Sequence, residues 1–129
     1  MILVDTSIVI EFARKPTMPV ARVVLSRKPA VCGIVLAELY TGVRTDAERT
    51  DLEATLRLFG HVPIAEPVWE LTGRVSGAMA RRGTKIKFQD AAIAATAIHV
   101  GLPLWTRDSH FTWVHAEFPE LVLFDESDT

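Results

Sequence analysis

The sequence has a single cysteine, Cys32, so no disulfide can form within the chain. Cys32 lies in the apolar segment AVCGIV, where a thiol usually behaves as a small buried hydrophobe. A disulfide scaffold is therefore excluded. The cysteine content fits a reducing compartment, and we expect a cytoplasmic location.

Long hydrophobic runs are also absent. The longer apolar stretches are interrupted by Glu38 or by proline and glycine, well short of the ~20 residues that a membrane span needs. The apolar run at the N-terminus has no basic segment before it, as a secretory signal would have. We expect no membrane association.

A strong excess of positive charge, typical of many nucleic-acid binders, is lacking as well, because the net charge is −2. Basic residues cluster at Arg14 and Lys15 and again between Arg81 and Lys87. Each cluster fits either a solvated face or a set of phosphate contacts, so the overall charge does not decide the partner.

What the chain does have is the composition of a globular protein, with 49% apolar and 23% charged residues among 129. This length is enough to bury about two-thirds of the surface that the unfolded chain exposes. We predict one domain over residues 1–129, with an acidic tail at 125–129 that frays.

Short apolar segments alternate with helical patterns along the whole chain. The strand-like segments are ILVD at 2–5, PAVC at 29–32, HVPI at 61–64, LPLWT at 102–106 and ELVLF at 120–124. The helical patterns cover residues 7–14, 18–28, 33–43, 46–59, 66–83 and 90–101, with a short helical or irregular piece at 107–117. Continuous apolar strands are typical of a sheet covered on both faces. We predict an α/β fold, a three-layer α/β/α sandwich with a short-stranded, mainly parallel central sheet.

Two acids follow strands. Asp5 comes directly after the first strand, and Asp108 comes two residues after the fourth. In open parallel sheets, sites form outside the carboxyl ends of the strands, so both acids are candidates for one site. Each also has an ordinary explanation, since Asp5 could simply cap a helix and Asp108 could be a turn residue.

Two further acids lie in apolar helices. Glu38 is the only ionisable residue between Cys32 and Arg44, and no polar stripe surrounds it. Asp90 opens the apolar segment DAAIAATAI, where the helix dipole favours a negative charge. Glu38 as a satisfied buried acid and Asp90 as a helix cap are the ordinary alternatives.

Four such acids in one pocket would repel one another and take up protons unless a cation were bound. Carboxylate ligands, with no histidine or cysteine at metal-binding spacing, favour Mg²⁺ or Mn²⁺ over zinc. The hydroxyls of Ser7 and Thr106 lie beside carboxylates at strand ends and could hold a water or a phosphate. The sequence therefore indicates a site for a hard divalent cation.

The segments VDTS, AELYTGV, DAAIAATA and TRDSHF, in this order and spacing, resemble those of the PIN-domain ribonucleases, and most closely those of the VapC toxins of bacterial toxin–antitoxin pairs. The resemblance covers almost the whole chain. Two positions depart from the usual pattern: Gly33 stands where a serine often begins the segment carrying the glutamate, and His110 stands where an acid often precedes the last phenylalanine.

This resemblance implies a PIN-like fold and Mg²⁺- or Mn²⁺-dependent cleavage of RNA. It also implies a VapB-type antitoxin that inhibits the toxin, and a homodimer within a toxin–antitoxin hetero-oligomer. The family's acidic positions fall on Asp5, Glu38, Asp90 and Asp108. Its hydroxyl beside the first acid falls on Thr6 or Ser7, and its threonine before the fourth acid falls on Thr106.

Our hypothesis from the sequence is that Asp5, Asp90 and Asp108 position one or two divalent ions, while Glu38 binds the second ion or orients the attacking water. Three alternatives remain. An α/β phosphatase with a nucleophilic Asp5 normally has a second acid two residues later, where this chain has Ser7. A phosphorylated receiver domain needs an acid pair and a late lysine, which are missing. A PIN-scaffold RNA-binding module with weak or no catalysis is the third.

Overall fold

The computed structural model describes residues 1–128 and contains a four-stranded parallel sheet. Its strands are β1 (Leu3–Val4), β2 (Ala30–Cys32), β3 (Gly60–Val62) and β4 (Leu104–Trp105). Their order in the sheet is β3-β2-β1-β4. Leu3 of β1 pairs with Ala30 on one side and with Leu104 on the other. The predicted α/β fold with a short-stranded parallel sheet is confirmed.

Helices occupy most of the remaining chain. They are α1 (Thr6–Arg14), α2 (Met18–Arg27), α3 (Gly33–Thr41), α4 (Asp46–Leu56), α5 (Pro67–Arg81), α6 (Phe88–Val100), α7 (His110–Glu117) and a short 3-10 helix (Glu126–Asp128). Local sequence sets several of their ends: Thr17 caps α2, and Gly101 ends α6 in the left-handed conformation with φ of 70°. Within residues 1–128, no helix combines the length and apolar character that crossing a membrane requires.

The helices form two groups around the sheet. Helices α1, α2 and α4 pack together, α5, α6 and α7 pack together, and α3 contacts both α1 and α6. The chain moves from β1 through β2 to β3 in one direction and then returns to place β4 on the far side of β1. Right-handed crossovers then put the two groups on opposite faces, giving the predicted three layers. The order of the strands reverses at β1, and a crevice forms at its carboxyl end.

The predicted fifth strand is wrong as an extended element. Residues 118–121 form a turn in which the Leu121 N–H donates to the Phe118 carbonyl at 2.9 Å. Within residues 1–128, a single parallel bridge follows, between Leu123 and Leu104. Because β4 has two residues and the turn uses up the start of the apolar segment, no longer ladder can form.

Within the acidic tail, residues Glu126–Asp128 form the 3-10 helix, and the Trp105 indole donates to the Glu126 carboxylate at 3.3 Å. The structure thus gives part of the tail a defined contact with the end of β4. Thr129 lies outside the described residues. The single-domain assignment and the fraying of the tail stay predictions.

Helix α6 lies in the centre of the core, which explains its small residues. All seven residues from Ala91 to Ala97 are buried. The hydroxyl of Thr96 donates to the Ala92 carbonyl at 2.7 Å, so the polar group within this run is satisfied. Alanine side chains allow α5 and the sheet to approach the helix closely, and the packing leaves little room for larger ones.

Replacing Ala94 by leucine should therefore overpack the core and lower the free energy of unfolding by about 1–3 kcal/mol. The matched control is Ala47→Leu, the same change on the exposed surface of α4. It should change the free energy of unfolding by less than about 0.5 kcal/mol. Urea unfolding followed by circular dichroism measures both. Equal effects of the two changes would contradict the tight packing of α6.

Candidate functional site

Asp5 connects β1 to α1 and is almost completely buried, with 5% of its surface exposed. Its Oδ1 accepts hydrogen bonds from the backbone N–H of Ser7 at 3.1 Å and from the Ser7 hydroxyl at 2.5 Å. Its Oδ2 accepts a hydrogen bond from the Thr106 hydroxyl at 2.5 Å. Asp5 is thus the helix cap that the ordinary interpretation expected, and it also lies where β1 and β4 end side by side.

Glu38 is half-buried in α3 and contacts the start of α1. Its Oε1 accepts a hydrogen bond from the Thr6 hydroxyl at 3.1 Å. The sequence left open whether Thr6 or Ser7 supplies the hydroxyl beside the first acid. In the structure both hydroxyls contact acids of the site: Ser7 donates to Asp5, whereas Thr6 donates to Glu38.

Asp90 lies in the first turn of α6 and is half-buried. The helix begins at Phe88, two residues earlier than the sequence indicated, and its N-cap is Lys87. The interpretation of Asp90 as a helix cap is therefore wrong. Its carboxylate lies at the third helical residue, where the N-terminal dipole favours negative charge.

The loop after β4 carries Thr106 and Asp108. The Asp108 N–H donates to the Thr106 hydroxyl oxygen at 2.9 Å, while that hydroxyl donates to Asp5. The Arg107 N–H donates to the Ser7 hydroxyl oxygen at 3.1 Å. These contacts hold the loop against the start of α1, so Asp108 is brought to the same end of the sheet as Asp5.

Arg107 also fastens this loop through its side chain. Its guanidinium donates to both carboxylate oxygens of Glu11, at 2.9 and 3.0 Å, and to the carboxylate of Glu126. The hydrogen bond from Arg107 lowers the pKa of Glu11, and the two carboxylates raise the pKa of Arg107. Sequence reasoning missed this clamp, since Glu11 lies 96 residues away from its partner.

All four predicted acids line one small cavity of about 140 Å³, which we call the acid pocket. Its lining residues are Asp5, Thr6, Ser7, Glu38, Lys87, Asp90, Ile93 and Asp108. Thr106, the remaining predicted residue, contacts the pocket through its hydrogen bond to Asp5. The structure therefore brings together every residue that the sequence proposed for the site.

Burial and mutual repulsion make the acid pocket costly to ionise. Desolvation, followed by repulsion from the other three carboxylates, raises the pKa of Asp90 to about 6, and Lys87 opposes this effect. Burial also raises the pKa of Asp5, although the hydrogen bonds from Ser7 and Thr106 reduce the effect. A bound cation would relieve this repulsion and favour the ionised forms of Asp5 and Asp90.

The donor set fits a divalent cation. Carboxylate oxygens predominate, which suits a hard ion such as Mg²⁺ or Mn²⁺. In addition, one ring nitrogen of His110 and one carboxylate oxygen each of Asp90 and Asp108 lie within 4.8 Å of one another. His110 is therefore a further candidate ligand beside the four acids, and its only signal in the sequence was its place two residues after Asp108.

A larger groove of about 550 Å³ lies beside the acid pocket, between α1, α3 and α4. It shares Thr6 and Glu38 with the pocket, and Arg14 of the first basic cluster lines it as well. Apolar side chains such as Ile10, Leu39 and Leu52 supply part of its surface. The acid pocket thus opens next to a groove of mixed apolar and charged character.

Comparisons with known proteins identify the family and similar folds. The family model for the PIN domain matches residues 2–115. FitAcB from Neisseria gonorrhoeae has a similar structure, with 25% identity, a TM-score of 0.77 and 100% coverage of both chains. VapBC2 from Rickettsia felis, solved with a DNA fragment from its promoter, has 21% identity and a TM-score of 0.81, covering 96% of this chain and 98% of that one. VapBC-1 from nontypeable Haemophilus influenzae has 18% identity and a TM-score of 0.80, covering 98% and 99%. Among curated proteins, none matches the chain.

The raised pKa of Asp90 predicts how stability depends on pH in the metal-free protein. Because the folded-state pKa lies near 6 and the ordinary value is 3.8, a stabilising contribution present below the ordinary value is lost as pH rises through about 6. Asp90→Asn should remove this loss. Because solvent screens this half-buried group, we expect the free energy of unfolding of the variant to exceed that of the wild type by about 1 kcal/mol at about pH 8 and by less at about pH 5.

Urea unfolding in EDTA at the two pH values measures this difference. Glu53→Gln, at an exposed position of α4, is the matched control and should show no such change with pH. If the difference in free energy of unfolding between wild type and Asp90→Asn were the same at both pH values, the electrostatic description of the pocket would be contradicted. Adding Mg²⁺ or Mn²⁺ should stabilise the wild type more than the variant, since binding to the folded state adds to its stability.

Proposed function

This chain belongs to the PIN-domain family, and we propose that it is a metal-dependent endoribonuclease of the VapC toxin type. The observation that carries the proposal is the convergence of Asp5, Glu38, Asp90 and Asp108 on one acid pocket, from four separate parts of the chain. Four neighbouring carboxylates are costly without a cation and useful with one, because divalent ions bind phosphate oxygens in such sites.

Asp5, Asp90 and Asp108 are the proposed ligands of Mg²⁺ or Mn²⁺. When bound, the ion would lower the pKa of a water and offset charge that develops on the phosphate. Ser7 and Thr106 orient the carboxylate of Asp5 through their hydrogen bonds, so both of its oxygens are fixed before substrate arrives. This preorganisation is what a transition state requires of its ligands.

Glu38 is proposed to orient the attacking water or to bind a second ion. The Thr6 hydroxyl fixes one of its oxygens and leaves the other for a contact within the pocket. The water attacks phosphorus, the bond from phosphorus to the 3′ oxygen breaks, and that oxygen takes up a proton. The products are a 5′-phosphate and a 3′-hydroxyl, and the RNA 2′-hydroxyl is not the nucleophile.

The proposed RNA contacts come from the basic residues that adjoin the acid pocket. Lys87, at the N-cap of α6, lines the pocket itself, and Arg14 lines the neighbouring groove. Arg82 belongs to the same cluster as Lys87 but pairs with Glu117 at 3.2 Å. We therefore assign phosphate binding beside the pocket to Lys87 in the first place.

An antitoxin of the VapB type is the proposed protein partner. The three similar structures described above are named FitAcB, VapBC2 and VapBC-1, and VapBC2 was solved with a DNA fragment from its promoter. The groove beside Glu38, with its mixed apolar and charged lining, is the proposed surface for such a partner. The homodimer and the cytoplasmic location stay predictions from the sequence.

Cleavage of total cellular RNA by the purified protein tests the main proposal. We expect discrete fragments with Mg²⁺ or Mn²⁺ and none with EDTA. Asp5→Asn and Asp90→Asn should each lower the rate by a factor of at least about 10³, since each removes a charged ligand. The exposed change Glu53→Gln should leave the rate unaltered.

Sequencing the fragment ends tests the chemistry. Fragments with 5′-phosphate and 3′-hydroxyl ends support attack by water, whereas 2′,3′-cyclic phosphate ends would contradict it. RNA that binds tightly with a bound divalent ion but is never cut would favour the alternative of a binding module. Growth arrest on expression that requires Asp5 would then speak for a nuclease with a narrow target.

Replacing Lys87 by glutamine should weaken RNA binding and flatten its dependence on salt. Loss of one phosphate contact reduces the slope of log affinity against log salt concentration by about 0.7 for single-stranded RNA. Binding is measured with Asp5→Asn in the background, so that no RNA is cut. Lys28→Gln is the control, because Lys28 lies before β2 at the opposite end of the sheet, and an equal effect there would contradict the assignment.

A further inference from the structure

His110 lies beside Asp90 and Asp108 of the acid pocket, and no part of the proposed mechanism uses it. We propose that His110 supplies a nitrogen ligand to the metal centre and shifts its preference from Mg²⁺ toward a divalent transition-metal ion such as Mn²⁺. This inference rests on the metal centre of the proposed function and deepens it.

The first support is distance. One ring nitrogen of His110 and one oxygen each of Asp90 and Asp108 lie within 4.8 Å of one another. The Nδ1 atom of His110 lies 3.2 Å from Oδ1 of Asp108. Neighbouring ligands of an octahedral ion with bonds of about 2.1 Å are about 3 Å apart, so these two atoms have the separation that one shared ion requires.

The second support is that Nδ1 of His110 forms no hydrogen bond in the part of the chain that the structure describes, although Oδ1 of Asp108 lies 3.2 Å away. This atom is shielded from solvent, although the ring as a whole is 40% exposed. A buried polar atom that forms no hydrogen bond carries a desolvation cost and calls for an explanation. A cation between His110 and the two aspartates would remove this cost.

The third support is that the backbone and a neighbouring ring hold His110 in place. Its N–H donates to Oδ1 of Asp108 at 2.9 Å, so the two residues are tied together at the start of α7. Its ring packs against the ring of Trp113, with centroids 4.8 Å apart and planes tilted by 42°. The imidazole therefore has limited freedom to turn away from the pocket.

The chemical consequence follows from the type of ligand. Mg²⁺ strongly prefers oxygen and keeps several of its waters, whereas transition-metal ions accept imidazole nitrogen readily. A site with several carboxylates and one imidazole therefore binds both kinds of ion but gains extra affinity for the second. Removing the imidazole should weaken transition-metal binding and leave Mg²⁺ binding much less affected.

Metal binding without RNA provides the test. Mn²⁺ affinity is measured by calorimetry, Mg²⁺ affinity by competition against Mn²⁺, and direct nitrogen coordination by pulsed electron paramagnetic resonance of the Mn²⁺ complex. In the wild type we expect a nitrogen coupling that changes when the protein carries isotopically labelled histidine. In His110→Ala the coupling should disappear and Mn²⁺ affinity should fall by roughly 10- to 100-fold. Removing a residue that only hydrogen-bonds to a metal ligand has an effect of this size, and the loss of a ligand itself should be no smaller.

Two variants control this experiment. His61→Ala removes an exposed histidine on β3 and should keep the coupling and the affinity. His110→Asp restores an oxygen ligand, so it should bind Mn²⁺ without a nitrogen coupling and narrow the difference between the two ions. Circular dichroism shows whether each variant is folded. The nitrogen coupling in wild-type protein with labelled histidine tests histidine coordination even if a variant fails to fold.

A Mn²⁺ complex of the wild type without nitrogen coupling would overturn the proposal, as would wild-type protein that binds no Mn²⁺. The cleavage assay separates these results from the fate of the ribonuclease proposal. If the protein cleaves RNA with Mg²⁺ but its Mn²⁺ complex shows no nitrogen coupling, the ribonuclease proposal is supported and only the proposal of His110 as a ligand is contradicted. A nitrogen coupling in a protein that cuts no RNA would support the His110 ligand and count against the nuclease.

Discussion

The burial of the Asp5 carboxylate among three other acids is the constraint on which the site depends. Burial and repulsion both favour the protonated forms in the acid pocket, as the raised pKa values of Asp5 and Asp90 indicate. The hydroxyls of Ser7 and Thr106 offset part of this cost at Asp5. A folded protein keeps such an arrangement only where other packing supports it, and here the buried helix α6 and the sheet provide that support.

The topology of the sheet makes this arrangement possible. The strand order reverses at β1, so the carboxyl ends of β1 and β4 are neighbours although about 100 residues separate them in sequence. Asp5 and Thr106 meet there, and the clamp between Arg107 and Glu11 holds the loop that carries Asp108. The same switch point is where open α/β sheets generally bind ligands. The fold thus concentrates charge at the place where a phosphate can approach.

Much of this could be predicted from local patterns, and the failures have physical causes. Glu38 was identifiable because a lone acid in an apolar helix has no solvated stripe to occupy. The extended fifth strand failed because the turn after α7 uses up the first part of the segment, a contact that no periodicity shows. His110 was missed because a histidine two residues after an acid becomes a candidate ligand only when Asp90, on another helix, is beside it.

The sequence by itself determined the alternation of strands and helices and the places where acids follow strands, since both depend on residues close together in the chain. Tertiary structure alone decided the pairings of Asp5 with Thr106 and of Thr6 with Glu38. It also decided the clamp at Arg107 and the shielding of the His110 nitrogen. These contacts join distant segments, and their partners depend on the order of the strands and on which side chains the packing leaves without solvent.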